Sequence, residues 1–200
     1  MEKKAWKFLT ILLTMLILIL AVSNFSMYSI YSTQNSEIEK LENFYNHYEK
    51  GIKEYSFGVY NSNVGDYNYD LFSWSYENDY LTDAIDYCKE ARELWFASND
   101  NYHKAISYFK KANETIPANK EKYKELVNKY IETSDIAINI TSAMYEACEY
   151  FESACNQYLN DNFEAGHKEL KKANEKIRLH DSYIKKYNSA LKELEILEES

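Results

Sequence analysis

The chain has 200 residues and a net charge of −9, with four glycines, one proline and three cysteines. That acidic balance excludes a nucleic-acid binder, which needs a basic face. So little turn-making residue argues for a mostly helical chain, and an odd, small number of cysteines excludes a disulfide scaffold.

In chain order, residues 1–7 hold Lys3, Lys4 and Lys7 against the single acid Glu2, so the rest of the chain carries −11. No charged side chain occurs from Phe8 to Ser36, and Phe8–Val22 (FLTILLTMLILILAV) is almost wholly apolar. A basic flank ahead of such a run keeps the N-terminus in the cytoplasm. The predicted organisation is a short cytoplasmic basic segment (1–7), a signal anchor or transmembrane helix (8–31) and an extracytoplasmic domain (37–200). Tyr28 and Tyr31 would lie at the outer interface, where tyrosine partitions. The expected location is the cell membrane, single-pass, with the C-terminal domain outside the cytoplasm. The alternative is a signal peptide cleaved at the small-x-small site Ala21-Val22-Ser23, ending near Ser23 and leaving a secreted protein.

Beyond the apolar run, hydrophobic residues recur at alternating steps of three and four. The stripes are Ile38–Val59, Leu81–Trp95, Tyr102–Ile116, Leu126–Tyr158 and Leu170–Leu194. They predict five helices in an all-α fold: an elongated bundle of long antiparallel helices with coiled-coil-like packing, preceded by the transmembrane helix. Ser36 with Glu39 forms a capping-box pair that restarts a helix after the membrane. A turn is expected at Asn61–Gly65, and Pro117 suits the first turn of a helix over 118–159. Asn99-Asp100-Asn101 and Asn160-Asp161-Asn162 read as polar turns with capping side chains. Cys88, Cys148 and Cys155 read as small apolar packers, with one disulfide from Cys88 as the alternative.

A repeat links two of these places. Asn99-Asp100-Asn101-Tyr102 … Lys110-Lys111-Ala112-Asn113-Glu114 recurs 61 residues later as Asn160-Asp161-Asn162-Phe163 … Lys171-Lys172-Ala173-Asn174-Glu175. Residues 99–117 resemble the second helix of a tetratricopeptide repeat, with Ala105, Phe109, Ala112 and Pro117 at that family's small, aromatic, small and proline positions. The resemblance implies a helical hairpin turning near residue 99. The preceding helix departs from the pattern, placing Lys89, Arg92 and Glu93 where the family has large, leucine and small residues; only Phe96 fits. In the second copy Arg178 replaces the proline, and a 61-residue period is not the family's 34.

Residues 60–80 (YNSNVGDYNYDLFSWSYENDY) combine seven aromatics and four acids with no base. Tyr60, Tyr67, Tyr69, Phe72, Trp74 and Tyr76 are the candidate ligand or partner surface; the competing reading is a turn and a helix packing its rings inward. Asp66, Asn68, Asp70 and Glu77 have partial calcium-loop spacing, but Leu71 replaces the required glycine. His47, His103, His167 and His180 share no metal spacing. Tyr45, Tyr48, Tyr55, Tyr130, Tyr158 and Tyr187 lie on the stripes as core residues. Asn24, Asn113 and Asn139 begin glycosylation sequons.

No catalytic, cofactor or metal site is expected. The function read from these features is a membrane-anchored extracytoplasmic interaction or structural module that partners the membrane and another protein or cell-surface component. The alternative is an exported ligand-binding or sensory bundle using segment 60–80 or an inter-helix cavity. A cavity lined by polar groups would favour the second.

Overall fold

The computed structural model describes the backbone of residues 2–116 and 120–199, and the side chains of 20–116 and 120–199. It contains α1 (Glu2–Glu77), α2 (Leu81–Thr115), α3 (Glu121–Leu159) and α4 (Phe163–Glu199), and no strand occurs among the described residues. The chain divides into two units, Met1–Glu42 and Asn43–Ser200.

In the first unit the backbone is helical, and the described apolar side chains from Leu20 to Tyr31 are exposed, as is Ile38. No helix is long and apolar enough to cross a membrane among the described residues. The side chains of 8–19, most of the apolar run behind the predicted anchor, lie outside them.

The second unit is a four-helix bundle, not five helices. The capping-box restart at Ser36/Glu39 and the turn at Asn61–Gly65 are absent, because α1 runs through both without a break. The turn at Asn99–Asn101 is absent too: these residues lie inside α2, so the hairpin implied by the tetratricopeptide resemblance does not form. The expected helix over 118–159 is α3, and Pro117 lies outside the described residues. The core stripe explains the merging. The steps Trp95–Ser98–Tyr102 and Val59–Ser62–Asp66–Tyr69 keep the three-four alternation, so a turn there would throw both halves out of register.

Consecutive helices run antiparallel. Across α1 and α2, Gly51 faces Phe109, Gly58 faces Tyr102 and Gly65 faces Trp95, each pair one heptad from the next. A Cβ at these glycines would lie 2.6, 2.8 and 2.6 Å from the ring facing it. The missing side chains let three nearly fully buried rings approach the α1 backbone closely. The Ser98 hydroxyl donates to the Gly58 carbonyl at 2.8 Å, anchoring the same contact. Between α2 and α3, Arg92 meets Glu149 and Glu152, Asn99 meets Thr141 and Ser142, and Asn113 meets Asn128. Lys129–Glu193 and Glu146–Lys176 tie α3 to α4, and Tyr55–Tyr187 links α4 to α1. Across the diagonal α1 and α3 run parallel, with Phe72 and Phe151 ring centroids 4.7 Å apart.

The turns α1–α2 and α3–α4 are built alike. Tyr80 N–H donates to Ser75 O and Asp79 N–H to Tyr76 O; Asn162 N–H donates to Gln157 O and Asp161 N–H to Tyr158 O. Among the described residues, Asp79 and Asp161 are the two non-glycine residues with positive φ, 62° and 58°. Each is a left-handed C-terminal cap, in which a short polar side chain is tolerated.

Among the described residues the core has two clusters. One, beside these turns, gathers Phe72, Trp95, Phe151 and Ala173 around Cys88, Cys148 and Cys155, which are free and fully buried. Burial pushes the Cys155 thiol up to about 11, so it packs as a neutral apolar group. The other cluster, toward the far end, centres on Phe44, Tyr55, Tyr102, Phe109 and Tyr130.

Candidate functional site

Because α1 continues through residues 60–77, the six candidate aromatics point two ways and do not form one surface. Phe72 is 2% exposed and packs on Phe151; Tyr69 and Tyr76 are half-buried against the same cluster. Burial is the main cause that raises both phenols, Tyr76 up to about 12. Tyr60, Tyr67 and Trp74 are 65, 62 and 59% exposed and lie seven residues apart on the opposite face. The calcium-loop spacing likewise falls on a continuous helix, so Asp66, Asn68, Asp70 and Glu77 form no loop.

The outer residues belong to a longer pattern. Phe57, Tyr60, Val64, Tyr67, Leu71 and Trp74 follow steps of three and four, a second seam beside the core stripe of the same helix. Phe57, Tyr60, Tyr67 and Trp74 are exposed, while Val64 and Leu71 are half-buried. Tyr80 lies against Trp74, with ring centroids 5.8 Å apart. Lys53 stands 5.8 Å over the Phe57 ring at one end, and no Lys, Arg or His follows until Lys89. Counting three-four steps from Phe57 as well as from Tyr55 exposes this seam in the sequence.

A second feature lies inside the bundle. A cavity of about 320 Å³ opens between α1 and α4, walled by Val59, Ile184 and Leu191, with Tyr102, Ala137 and Ile140 beneath. Asn63, Asp66 and Asn188 stand at its exposed mouth, and Ser62 and Tyr187 complete the lining. The Tyr187 hydroxyl is 2.8 Å from that of Tyr55, and burial pushes it up to about 12. Asp66 is exposed as a residue, yet one carboxylate oxygen turns to Trp95, whose indole Nε1–H donates to it at 3.1 Å. Loss of water around that carboxyl raises its pKa; the Trp95 bond and the charge of His180 pull it down, and Asp70 adds to the rise.

On the far side of α2, Arg92 is clamped by Glu149 and Glu152, both at 2.8 Å, and lies 4.7 Å from the Tyr145 ring centroid. The tetratricopeptide pattern asks for leucine at this position; here the helix pair is joined by charge. No group of three or more potential metal ligands assembles among the described residues. The chain matches no protein-family model, no curated protein and no solved structure.

Proposed function

We propose that the protein is a membrane-anchored, extracytoplasmic helical interaction module without catalytic activity. Residues 8–31 hold it in the bilayer, and the outer face of α1 receives a helix of another protein. The observation that carries this reading is the second seam, Phe57 to Trp74, a three-four stripe whose rings have no helix against them in the bundle. Such a stripe is the half-interface that a partner helix completes with its own knobs and holes. An aromatic side chain buries about 150–250 Å² when fully covered; Phe57, Tyr60, Tyr67 and Trp74 are 47–65% exposed, which leaves roughly a few hundred Å² of ring surface uncovered. Asp70 and Glu77 flank the seam with no base between Lys53 and Lys89, which suits a partner helix with Lys or Arg along its edges. The anchor is supported by the lysines ahead of Phe8, by the uncharged stretch to Ser36 and by the exposed apolar side chains from Leu20 to Tyr31.

The test is photocrosslinking of the full-length chain in native membranes, with a crosslinking residue at Tyr67 and, as a control, at exposed Lys122 of α3. The expected outcome is a discrete protein adduct from position 67 and none from 122. Adding Tyr60→Ser and Trp74→Ser should abolish the adduct while the melting temperature stays near wild type, because exposed rings contribute little to folding and much to an interface. Equal adducts from both positions, or none from 67, would refute the reading.

A further inference from the structure

We infer that the cavity between α1 and α4 is a binding site for a small organic amine, its apolar body among the bundle side chains and its ammonium on Asp66. This site is separate from the α1 seam and does not depend on a partner there.

Shape and chemistry agree on that ligand class. The floor, Tyr102 and Ile140 with Ala137, is buried and largely apolar, whereas Asn63, Asp66 and Asn188 stand at the open mouth. At about 320 Å³ the space lies at the small end of the ligand-pocket range. Among the described residues its lining contains one carboxylate and no Lys, Arg or His. The carboxylate accepts one hydrogen bond from Trp95. The His180 ring is 3.1 Å from its own neighbour Asp181. A partly dehydrated carboxylate with no paired base beside an apolar space favours a cation carrying an apolar body.

An independent observation marks the same place. The buried residues of α4 are Gly166, Ala173, Ala190 and Leu194, so its middle, including Ile177, Ile184 and Tyr187, is only half-buried on the stripe that should face the core. The bundle closes around α4 at both ends and stays open in between, at the level of the cavity.

The test uses the full-length chain in lipid nanodiscs and three probes: 2-phenylethylamine, the neutral 2-phenylethanol and methylamine. The readout is the indole N–H resonance of Trp95, which reports on Asp66 directly and which partitioning of a probe into lipid does not saturate. The expected result is a saturable shift with 2-phenylethylamine at a Kd of about 1 mM or tighter, weaker binding of 2-phenylethanol and none of methylamine. Asp66→Asn, which keeps shape and an acceptor for Trp95, should weaken the amine at least about tenfold and leave the alcohol unchanged. Ser62→Phe, which fills the space from the half-buried wall, should remove both. No saturable shift up to about 10 mM amine in the wild-type chain, or an unchanged amine affinity in Asp66→Asn, would overturn the assignment; both readings hold even where Ser62→Phe fails to fold.

Discussion

The segments 99–115 and 160–176 share an opening Asn-Asp-Asn and a later Lys-Lys-Ala-Asn-Glu at the same spacing, and they adopt different structures. In the first, Asn99-Asp100-Asn101 lies in the middle of α2; in the second, Asn160-Asp161-Asn162 is the turn between α3 and α4. The difference lies in what surrounds them. Asn99 bonds Thr141 and Ser142 of α3, and Asn101 bonds Asn61 and Glu54 of α1. Trp95 and Tyr102, on either side, occupy the gaps at Gly65 and Gly58. A turn at 99 would empty one of those gaps. Around 160 nothing holds the helix on: Leu159 and Phe163 are exposed, and Asp161 takes a left-handed φ of 58° that ends the run. An Asx-rich tripeptide is neutral between helix and turn locally, and the packing of its neighbours decides.

Matched substitutions in the two segments should separate these explanations. The largest contrast is expected for Phe109→Ala against Leu170→Ala, at equivalent positions. Phe109 is fully buried against Gly51 and should cost about 3–5 kcal/mol through lost transfer energy and a cavity. Half-buried Leu170 should cost less than about 2 kcal/mol. Urea denaturation of both variants measures this, and equal losses would show that the second copy is packed as tightly as the first.

A smaller contrast concerns the glycines beside each copy. A Cβ at Gly58 would meet the Tyr102 ring, which is 2% exposed and has nowhere to go. Gly58→Ala should therefore destabilise by about 1–3 kcal/mol, although alanine is the better helix former by about 1 kcal/mol. A Cβ at Gly166 would lie closer still to the Tyr158 ring, a tighter contact, but that ring is half-buried beside the turn rather than enclosed in the core. Gly166→Ala should change stability by less than about 1 kcal/mol. Thermal melts in which both variants lose the same amount would remove the distinction between a closed gap and an open one.

The smallest effect is the most diagnostic, because its sign reverses. Asp100→Gly places glycine inside a helix and removes the ion pair with Lys104, so it should destabilise by about 0.5 kcal/mol. Asp161→Gly relieves a positive φ and should stabilise by a similar amount. Shifts of one sign in both melting curves would mean that the two segments share a conformation in solution.

Segment 60–80 teaches a related lesson. Its aromatic density was visible in the sequence, but six rings make one surface only where they share a face, and a helix spreads these over two. With α1 continuous, Tyr69, Phe72 and Tyr76 join the core while Tyr60, Tyr67 and Trp74 face out. Continuity was legible too: the core stripe passes through Ser62 and Asp66 without losing step. Small and polar residues at stripe positions looked like interruptions, yet they are seats for neighbouring rings and the mouth of a cavity. Gly51, Gly58 and Gly65 likewise read as scattered glycines until their heptad spacing is set against Trp95, Tyr102 and Phe109 on α2.

An all-helical chain and the three-four stripes that form its core were legible in the residues alone, because amphipathic period is a property of neighbouring residues. Tertiary structure alone decided that Asn99–Asn101 continues a helix, that glycines face rings across α1 and α2, and that α4 leaves a polar-mouthed space against α1. Each depends on which side chain meets which across helices tens of residues apart, and no local pattern encodes that pairing.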